Sequence, residues 1–323
     1  MQTKENMTIR EFKNLYCDAI SCGLGQFIEI DETNYMDVVN SLSREEIECI
    51  CQYSVLKNKL AGVGELNLKV PYCRMGVDAL ERYGLRGNEI LSAQTVNGLC
   101  AKDLLGGRMI VEIESIDNYN ATALSDIADF CATTDTPVVV NFGQSLEEVG
   151  RVVNKFGQSP ASVLEGYGLL DRKCFLKGFN FIDKDDQILL SNYNPTVILS
   201  PLSDAECGKG AINLYNLIYN RLTFCFSSDK CYNIDMLREA KTALLNTNNL
   251  MYQRDLVGYD DLIDAICSKE GEIRIKMGEF DRKETLFDRS FICKCGDLQH
   301  ERIQLEQKIK TIVQKLKENT NGN

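Results

Sequence analysis

Short β-branched apolar runs alternate with capped amphipathic stretches along most of this chain, and that alternation limits the fold more than any other feature. Strand-like runs fall at residues 26–30, 66–70, 108–113, 136–141, 173–176, 196–199 and 222–226. Helical patterns lie between them. Residues 43–58 open on Ser43-Arg-Glu-Glu46, a capping-box signature ahead of an apolar face. Asn120 precedes the helical stretch 121–132, and Ser145 with Glu148 opens 145–156. Residues 235–245 place Met236, Leu237, Ala240 and Leu244 at helical spacing. Strands that alternate with helices over about 200 residues predict a mainly parallel sheet. Seven or so such units predict an α/β fold, a (β/α)8 TIM-type barrel rather than an open sheet, with strand 1 not evident in the sequence.

The C-terminal part reads differently. Residues 272–277 and 290–293 suggest a strand pair. Residues 299–318 read as an amphipathic helix with Ile303, Leu305, Ile309, Ile312, Val313 and Leu316 on one side. The expected division is a barrel over 1–270 and a strand pair and helix packed on it over 271–323. No Pro-rich or Gly/Ser-rich linker and no internal repeat interrupts the chain.

Composition narrows the function. The net charge is −11, so the basic face that binds nucleic acid is not expected, and an anionic membrane would repel the protein. Residues 1–30 carry scattered charges with no secretory h-region, and no apolar run is long enough to span a bilayer. Fourteen cysteines sit dispersed in apolar stretches such as Phe224-Cys225-Phe226, which predicts buried, reduced thiols and a cytoplasmic location. Cys49/Cys51 and Cys293/Cys295 are C-x-C pairs, weak signals for zinc or an iron–sulfur cluster because a second ligand pair is missing. A thiolate site joining Cys207, Cys225 or Cys231 to Asp229 is a minor alternative. Gly208-Lys209-Gly210 lacks the spacing of a P-loop.

Several segments in order carry a family resemblance. Pro137-Val-Val-Val-Asn-Phe-Gly-Gln-Ser-Leu-Glu-Glu-Val looks like a fifth barrel strand with a Glu-rich helix after it. Gly166-Tyr-Gly-Leu-Leu-Asp looks like the loop into strand 6. Val197-Ile-Leu-Ser-Pro-Leu-Ser-Asp looks like strand 7, and Phe226-Ser-Ser-Asp229 like the strand 8 signature, continued by Ile234-Asp-Met-Leu-Arg-Glu-Ala. Together they resemble the amidohydrolase superfamily, in particular its guanine deaminase and chlorohydrolase-like branch, over about a third of the chain. The resemblance implies metal-binding side chains at the strand ends: His-x-His on strand 1, His-x-x-Glu on strand 5, a histidine on strand 6 and an aspartate on strand 8. Here the matching positions of strands 5 and 6 read Asn141, Gln144 and Lys177, and Asp229 stands on strand 8. The chain's single histidine is His300, read as an exposed or capping residue before the last helix. Catalytic Zn²⁺ or Fe²⁺ commonly takes two or three imidazoles. No metal and no cofactor is therefore expected.

A catalytic metal brings the pKa of its bound water from 15.7 to roughly 7; amides and an ammonium do not. The residues that could carry chemistry are Asp229, as a retained base or a salt-bridged relic, and Lys177, as an amine nucleophile or, more readily, an ion-pair partner of Asp229. Ligand contacts are expected from Asn141, Gln144, Ser203 and Asp204, against amide pairing and loop capping as the plainer readings. Three functions stay open: a metal-free pseudoenzyme that binds a small polar ligand or a partner protein, an active hydrolase of non-peptide C–N bonds with a rebuilt site, and a structural subunit of a hetero-oligomer. The terminal helix suits docking on its own domain, with homo-oligomerisation the alternative.

Overall fold

The computed structural model describes residues 6–31, 33–96, 108–171, 173–276 and 296–321. Among them, nine strands follow in chain order: β1 (Asn6–Asp18), β2 (Val63–Lys69), β3 (Glu89–Ser92), β4 (Met109–Ile113), β5 (Val138–Phe142), β6 (Cys174–Gly178), β7 (Thr196–Leu199), β8 (Thr223–Phe226) and β9 (Cys267–Lys276). Helices separate most of them, and the fold class is α/β of the TIM-barrel type with a long C-terminal helix. The chain divides into two compact units. The first takes in Met1–Glu89, Ser227–Glu239 and Ile266–Asn323; the second takes in Ile90–Phe226 and Ala240–Ala265.

In the second unit β3 to β8 lie side by side in chain order, and the registered pairs from β4 to β8 are parallel. The cause is in the composition of the strands. Val138-Val-Val140 and Val197-Ile-Leu199 are buried at every residue, as strands covered on both faces must be. The helices between them start on side-chain caps. Asn120 accepts from Ala123 N, Ser145 from Glu148 N, Ser159 from Ser162 N ahead of Pro160, and Asp183 from Asp186 N. Three of these helices stop on a left-handed residue, Asp135, Gly157 and Asn194, a backbone state that Asn, Asp and Gly reach most easily.

In the first unit β1 lies between β2, which is parallel, and β9, which is antiparallel. At its C-terminal end β1 also meets the residues that follow β8 in the chain: Cys17 and Asp229 form a parallel bridge. Asp229 N donates to Tyr16 O at 3.1 Å, and Asp18 N donates to Asp229 O at 3.0 Å. Beneath this bridge lies a buried polar cluster. Asn14 Nδ2 donates to Asn58 Oδ1 at 2.9 Å and to Ser228 Oγ at 2.8 Å, while Ser228 N donates to Asn14 Oδ1 at 3.1 Å.

Two sequence expectations change here. Strand 1, not evident in the sequence, is β1. The apolar run that would mark it is broken by Asn14 and Asp18, which are buried polar residues. Residues 26–30 are not a strand. The helix Ala19–Leu24 ends at Gly25, and Phe27 N and Ile28 N both bond back to Leu24 O, at 2.8 and 3.1 Å, so the chain coils instead of extending. Of the expected C-terminal pair, 272–276 forms part of β9 and its partner is β1, with Arg10 opposite Glu272. Residues 290–293, like the Cys293/Cys295 pair, lie outside the described residues.

The last helix, Gly296–Asn321, starts earlier than its apolar pattern and so includes His300, which is exposed and hydrogen-bonds Gln304. It packs on the helix Arg44–Leu60. Leu305, Ile309, Ile312, Val313 and Leu316 are buried, each worth about 1.5–3 kcal/mol of transfer free energy. Glu46 links the two helices. Its carboxylate accepts from Ser43 N in the capping box and from Lys315 Nζ at 2.8 Å. Ser43→Ala is expected to lower the unfolding free energy in urea by about 1 kcal/mol. Glu46→Ala should cost more, because it removes the Lys315 contact as well as the cap.

Candidate ligand sites at the strand ends

Chain direction places the first unit's acidic residues. β1 ends at Asp18, and the chain turns at once into the helix Ala19–Leu24, so the Asp18 carboxylate caps that helix by accepting from Ser21 N at 2.9 Å. Asp229 follows β8 with φ of 44°, a left-handed conformation that aspartate tolerates better than most side chains. The backbone bonds that tie 229 to β1 bring the two carboxylates near each other, and both are buried. Burial pushes the Asp18 carboxyl above its ordinary range. Lys69 opposes that shift, Asp229 adds to it and Lys230 opposes it.

The second unit gathers most of the other predicted residues. Asn141 on β5 lies opposite Lys177 on β6 in register, and Lys177 is 5% exposed. Asn141 Nδ2 donates to Glu114 O at 2.9 Å. That carbonyl fixes which way round the amide sits, and the buried Asn141 Oδ1 has no hydrogen-bond partner among the described residues. Gln144 begins the next turn. Its backbone N–H donates to Glu148 Oε2 at 2.8 Å, its Nε2 approaches Lys177 O at 3.5 Å, and its Oε1 accepts from Lys209 Nζ at 3.1 Å. Gly178 permits this approach. Its φ is 114°, and a Cβ there would lie 2.7 Å from Gln144 Cγ and 2.9 Å from Phe142 O.

Asp204 joins the cluster from the helix Pro201–Glu206. Asn180 Nδ2 donates to Asp204 Oδ2 at 3.0 Å and to Lys209 O at 2.9 Å. Ser203 is buried on the same turn. The structure therefore links Gln144, Lys177 and Asp204 through two residues that the sequence did not assign to a ligand site, Asn180 and Lys209. In the sequence Lys209 stands only inside Gly208-Lys209-Gly210, which lacks the spacing of a phosphate loop. Asn180 carried no signal, because an asparagine two residues past a strand is also an ordinary turn residue. Glu148 holds the loop from below. Burial raises its carboxyl pKa, and the N–H groups of Gln144 and Gly143 oppose the rise.

These atoms can hydrogen-bond and balance charge. Among the described residues no three His, Cys, Asp or Glu side chains converge to hold an ion, and the one imidazole is exposed on the terminal helix. Most described cysteines are buried, and Cys207 is exposed.

The backbone answers more specifically. An adenosine deaminase from Xanthomonas campestris, whose crystal structure holds bound zinc, superposes with a TM-score of 0.77 over 95% of this chain and 86% of that one, at 12% identity. The likeness is one of fold. Guanine deaminase from C. acetobutylicum, solved with guanine in its active site, gives a TM-score of 0.68 over 96% of this chain and 83% of that one at 13% identity. The E. coli guanine deaminase gives 0.71 over 88% of this chain and 79% of that one at 14% identity. In sequence, a 5-methylthioadenosine/S-adenosylhomocysteine deaminase from Caldicellulosiruptor saccharolyticus is 24% identical over 125 residues, 38% of this chain and 29% of its own length. A 5'-deoxyadenosine deaminase from Methanospirillum hungatei is 25% identical over 122 residues, 36% of this chain and 27% of its own length. The chain thus matches under a third of the length of these curated relatives. No family model matches the sequence.

The raised Asp18 carboxyl has a definite sign. Its folded pKa lies above the unfolded value, so its contribution to stability is full below the ordinary carboxylate range and is lost as pH rises through the folded value. Asp18→Asn keeps an acceptor for Ser21 N and removes the buried charge. In urea denaturation the variant is expected to be more stable than the native chain at pH 7, with the gap closing as pH falls below ~4. An equal gap at both pH values would show that Asp18 ionises without a folding cost.

Proposed function

We propose that this protein is a metal-free amidohydrolase-like protein that binds a small polar ligand without hydrolysing it. The observation that carries this reading is the side-chain set at the ends of β5 and β6. Where the family resemblance implies metal-binding residues, Asn141 and Lys177 stand in register, and the loops around them hold Gln144, Asn180, Asp204 and Lys209 in one hydrogen-bonded group. Amides are poor zinc ligands and good partners for a polar solute. Without a metal, water keeps its high pKa and has no nearby Lewis acid. In this reading Asn141 offers a fixed carbonyl oxygen to a ligand N–H, Gln144 and Asn180 set the polar walls, and Lys177 and Lys209 supply positive charge. Ser203 and Asp204 hold the loop shape. Cysteines dispersed through the apolar core support a reducing, cytoplasmic setting. Among the described residues no helix is long and apolar enough to cross a membrane.

A second reading has its own support. The curated relatives are named as deaminases, and two buried carboxylates, Asp18 and Asp229, adjoin in the first unit with one carboxyl pushed up by burial. Such a pair suits general acid–base work. In this alternative the chain is an active hydrolase of non-peptide C–N bonds, with Asp229 as the base.

One preparation separates the two. Untagged protein analysed by inductively coupled plasma mass spectrometry is expected to hold well under one equivalent of zinc or iron. The same sample in a thermal-shift screen of purines, pyrimidines and triazines should rise in Tm with at least one compound. Lys177→Met should abolish that rise without product formation in either protein. Ammonia release that Asp229→Ala removes would overturn the pseudoenzyme reading in favour of the hydrolase.

A further inference from the structure

The same Ser-x-x-Glu pattern opens two helices of this chain, and the two glutamates end up on different partners. At Ser43 the box closes on itself: Ser43 N donates to Glu46 Oε2 at 2.7 Å, and Ser43 Oγ accepts from Glu46 N at 3.3 Å. At Ser145 the hydroxyl again accepts, from Glu148 N at 3.1 Å, but the Glu148 carboxylate reaches one residue further back and accepts from Gln144 N at 2.8 Å. Glu46 is half-buried beside Lys315, whereas Glu148 is buried. A buried carboxylate that passes over the N-cap of its own helix serves the loop before that helix.

That loop joins the polar group at the strand ends. Gln144 Oε1 accepts from Lys209 Nζ at 3.1 Å, and Gln144 Nε2 approaches Lys177 O at 3.5 Å. Gly143 O accepts from Phe181 N at 2.9 Å, and Lys209 O accepts from Asn180 Nδ2 at 2.9 Å. Residues 143–144 therefore tie the loop after β5 to those after β6 and β7. The approach is close. Gly143 has φ of 60°, and a Cβ there would lie 2.3 Å from Ile182 Cδ1.

We propose that Glu148 is a positioning residue of the strand-end site: its carboxylate holds Gln144 where the Gln144 amide bridges to the Lys209 ammonium, and a ligand meets that bridge already in place. This rests on the ligand-binding reading above and gives the site a dependence on pH. The ionised acid is the form that fits. The N–H groups of Gln144 and Gly143 both bond the Glu148 carboxylate. A carboxylate offers an acceptor to each, whereas a protonated carboxyl turns one oxygen into a donor. One N–H then faces a proton, the turn loosens, and the Gln144–Lys209 bridge loosens with it.

The charges around Glu148 set the direction. Burial raises its pKa, the two N–H groups oppose the rise, Asp117 adds to it and Arg151 opposes it. Asp117 lies in the turn Ile116–Asn118 packed against the helix Leu146–Phe156, and Arg151 lies on that helix. The two are paired at 2.7 Å, and Glu147 pairs with Arg151 at 3.1 Å. The helix Pro160–Gly166, also packed there, carries one charged residue, Glu165, which accepts from Tyr193 OH at 2.8 Å. The folded value lies above that of an ordinary glutamate, so as pH falls the proton arrives, and the site weakens, before ordinary carboxylates titrate.

Hydrogen–deuterium exchange reads the hold on Gln144 without any ligand. In native full-length protein the Gln144 amide, referenced to an unfolded peptide, is expected to be protected at about pH 7.5 and to lose about tenfold of that protection by about pH 5. Glu148→Gln should show the low protection at both pH values, and Glu46→Gln should leave Gln144 unchanged. Hypoxanthine and uracil, neutral over this range, then probe the site by titration calorimetry. Either one that binds is expected to bind about tenfold more weakly at the lower pH. Gln144→Ala, which keeps the acid, should make that binding weak and independent of pH. If the native Gln144 amide is equally protected at both pH values, or a probe binds native protein equally well at both, the proposal is overturned; in the second case the ligand-binding reading stands. If neither probe binds while the protection falls with pH, the hold of Glu148 on Gln144 is upheld, and it is the ligand-binding reading that loses support.

Discussion

Asn14 is fully buried, and all three of its side-chain bonds cross from β1 to parts of the chain far away in sequence, Asn58 and Ser228. A buried amide must find such partners or cost about 1–3 kcal/mol for each group left unbonded. The partners available here tie β1 to the helix Arg44–Leu60 on one side and to the residues after β8 on the other. The backbone ladder between Tyr16, Asp18 and Asp229 then has one register, because slipping it would strand the amide. From that register follow the placement of Asp18 beside Asp229 and the helix cap at Ser21. A polar side chain in the core thus specifies the arrangement as much as the apolar packing around it.

The two units use polar groups differently. In the first, carboxylates are buried close together and the cost appears as a raised Asp18 pKa. In the second, amides and lysines interlock at the ends of β5 and β6, and Glu148 secures the Gly143–Gln144 turn by accepting its N–H groups. The backbone superposes on the solved deaminases compared above over 88–96% of this chain, at TM-scores from 0.68 to 0.77. Backbone likeness at 12–14% identity fixes where strand ends fall and leaves the chemistry to the side chains standing there.

How much of this was legible depended on what each segment buries. The second unit's strands read clearly because Val138–Val140 and Val197–Leu199 are apolar runs covered on both faces. The helix starts at Ser43, Asn120 and Ser145 were legible because a cap needs a specific side chain at a specific place. β1 was missed for the opposite reason: Asn14 and Asp18 in its core positions spoil the pattern that marks a strand. Residues 26–30 misled because Phe27, Ile28 and Ile30 resemble a short apolar run, while the bonds of Phe27 and Ile28 to Leu24 are a helical ending. At the site, Asn141, Gln144, Lys177 and Asp204 could be named from a motif order. Asn180 and Lys209 could not, since what unites them with the others is a tertiary approach between loops.

The conformation of Asp229 has a consequence of its own. With φ at 44°, that position tolerates a short alphabet, Asp, Asn, Gly and His among the few side chains that sit there at little strain. Valine, isoleucine or threonine would clash with their own backbone whatever the pocket contained. The backbone shape at 229 therefore admits an acid whatever becomes of its charge, and would keep that short list of residues in place long after the charge had ceased to matter.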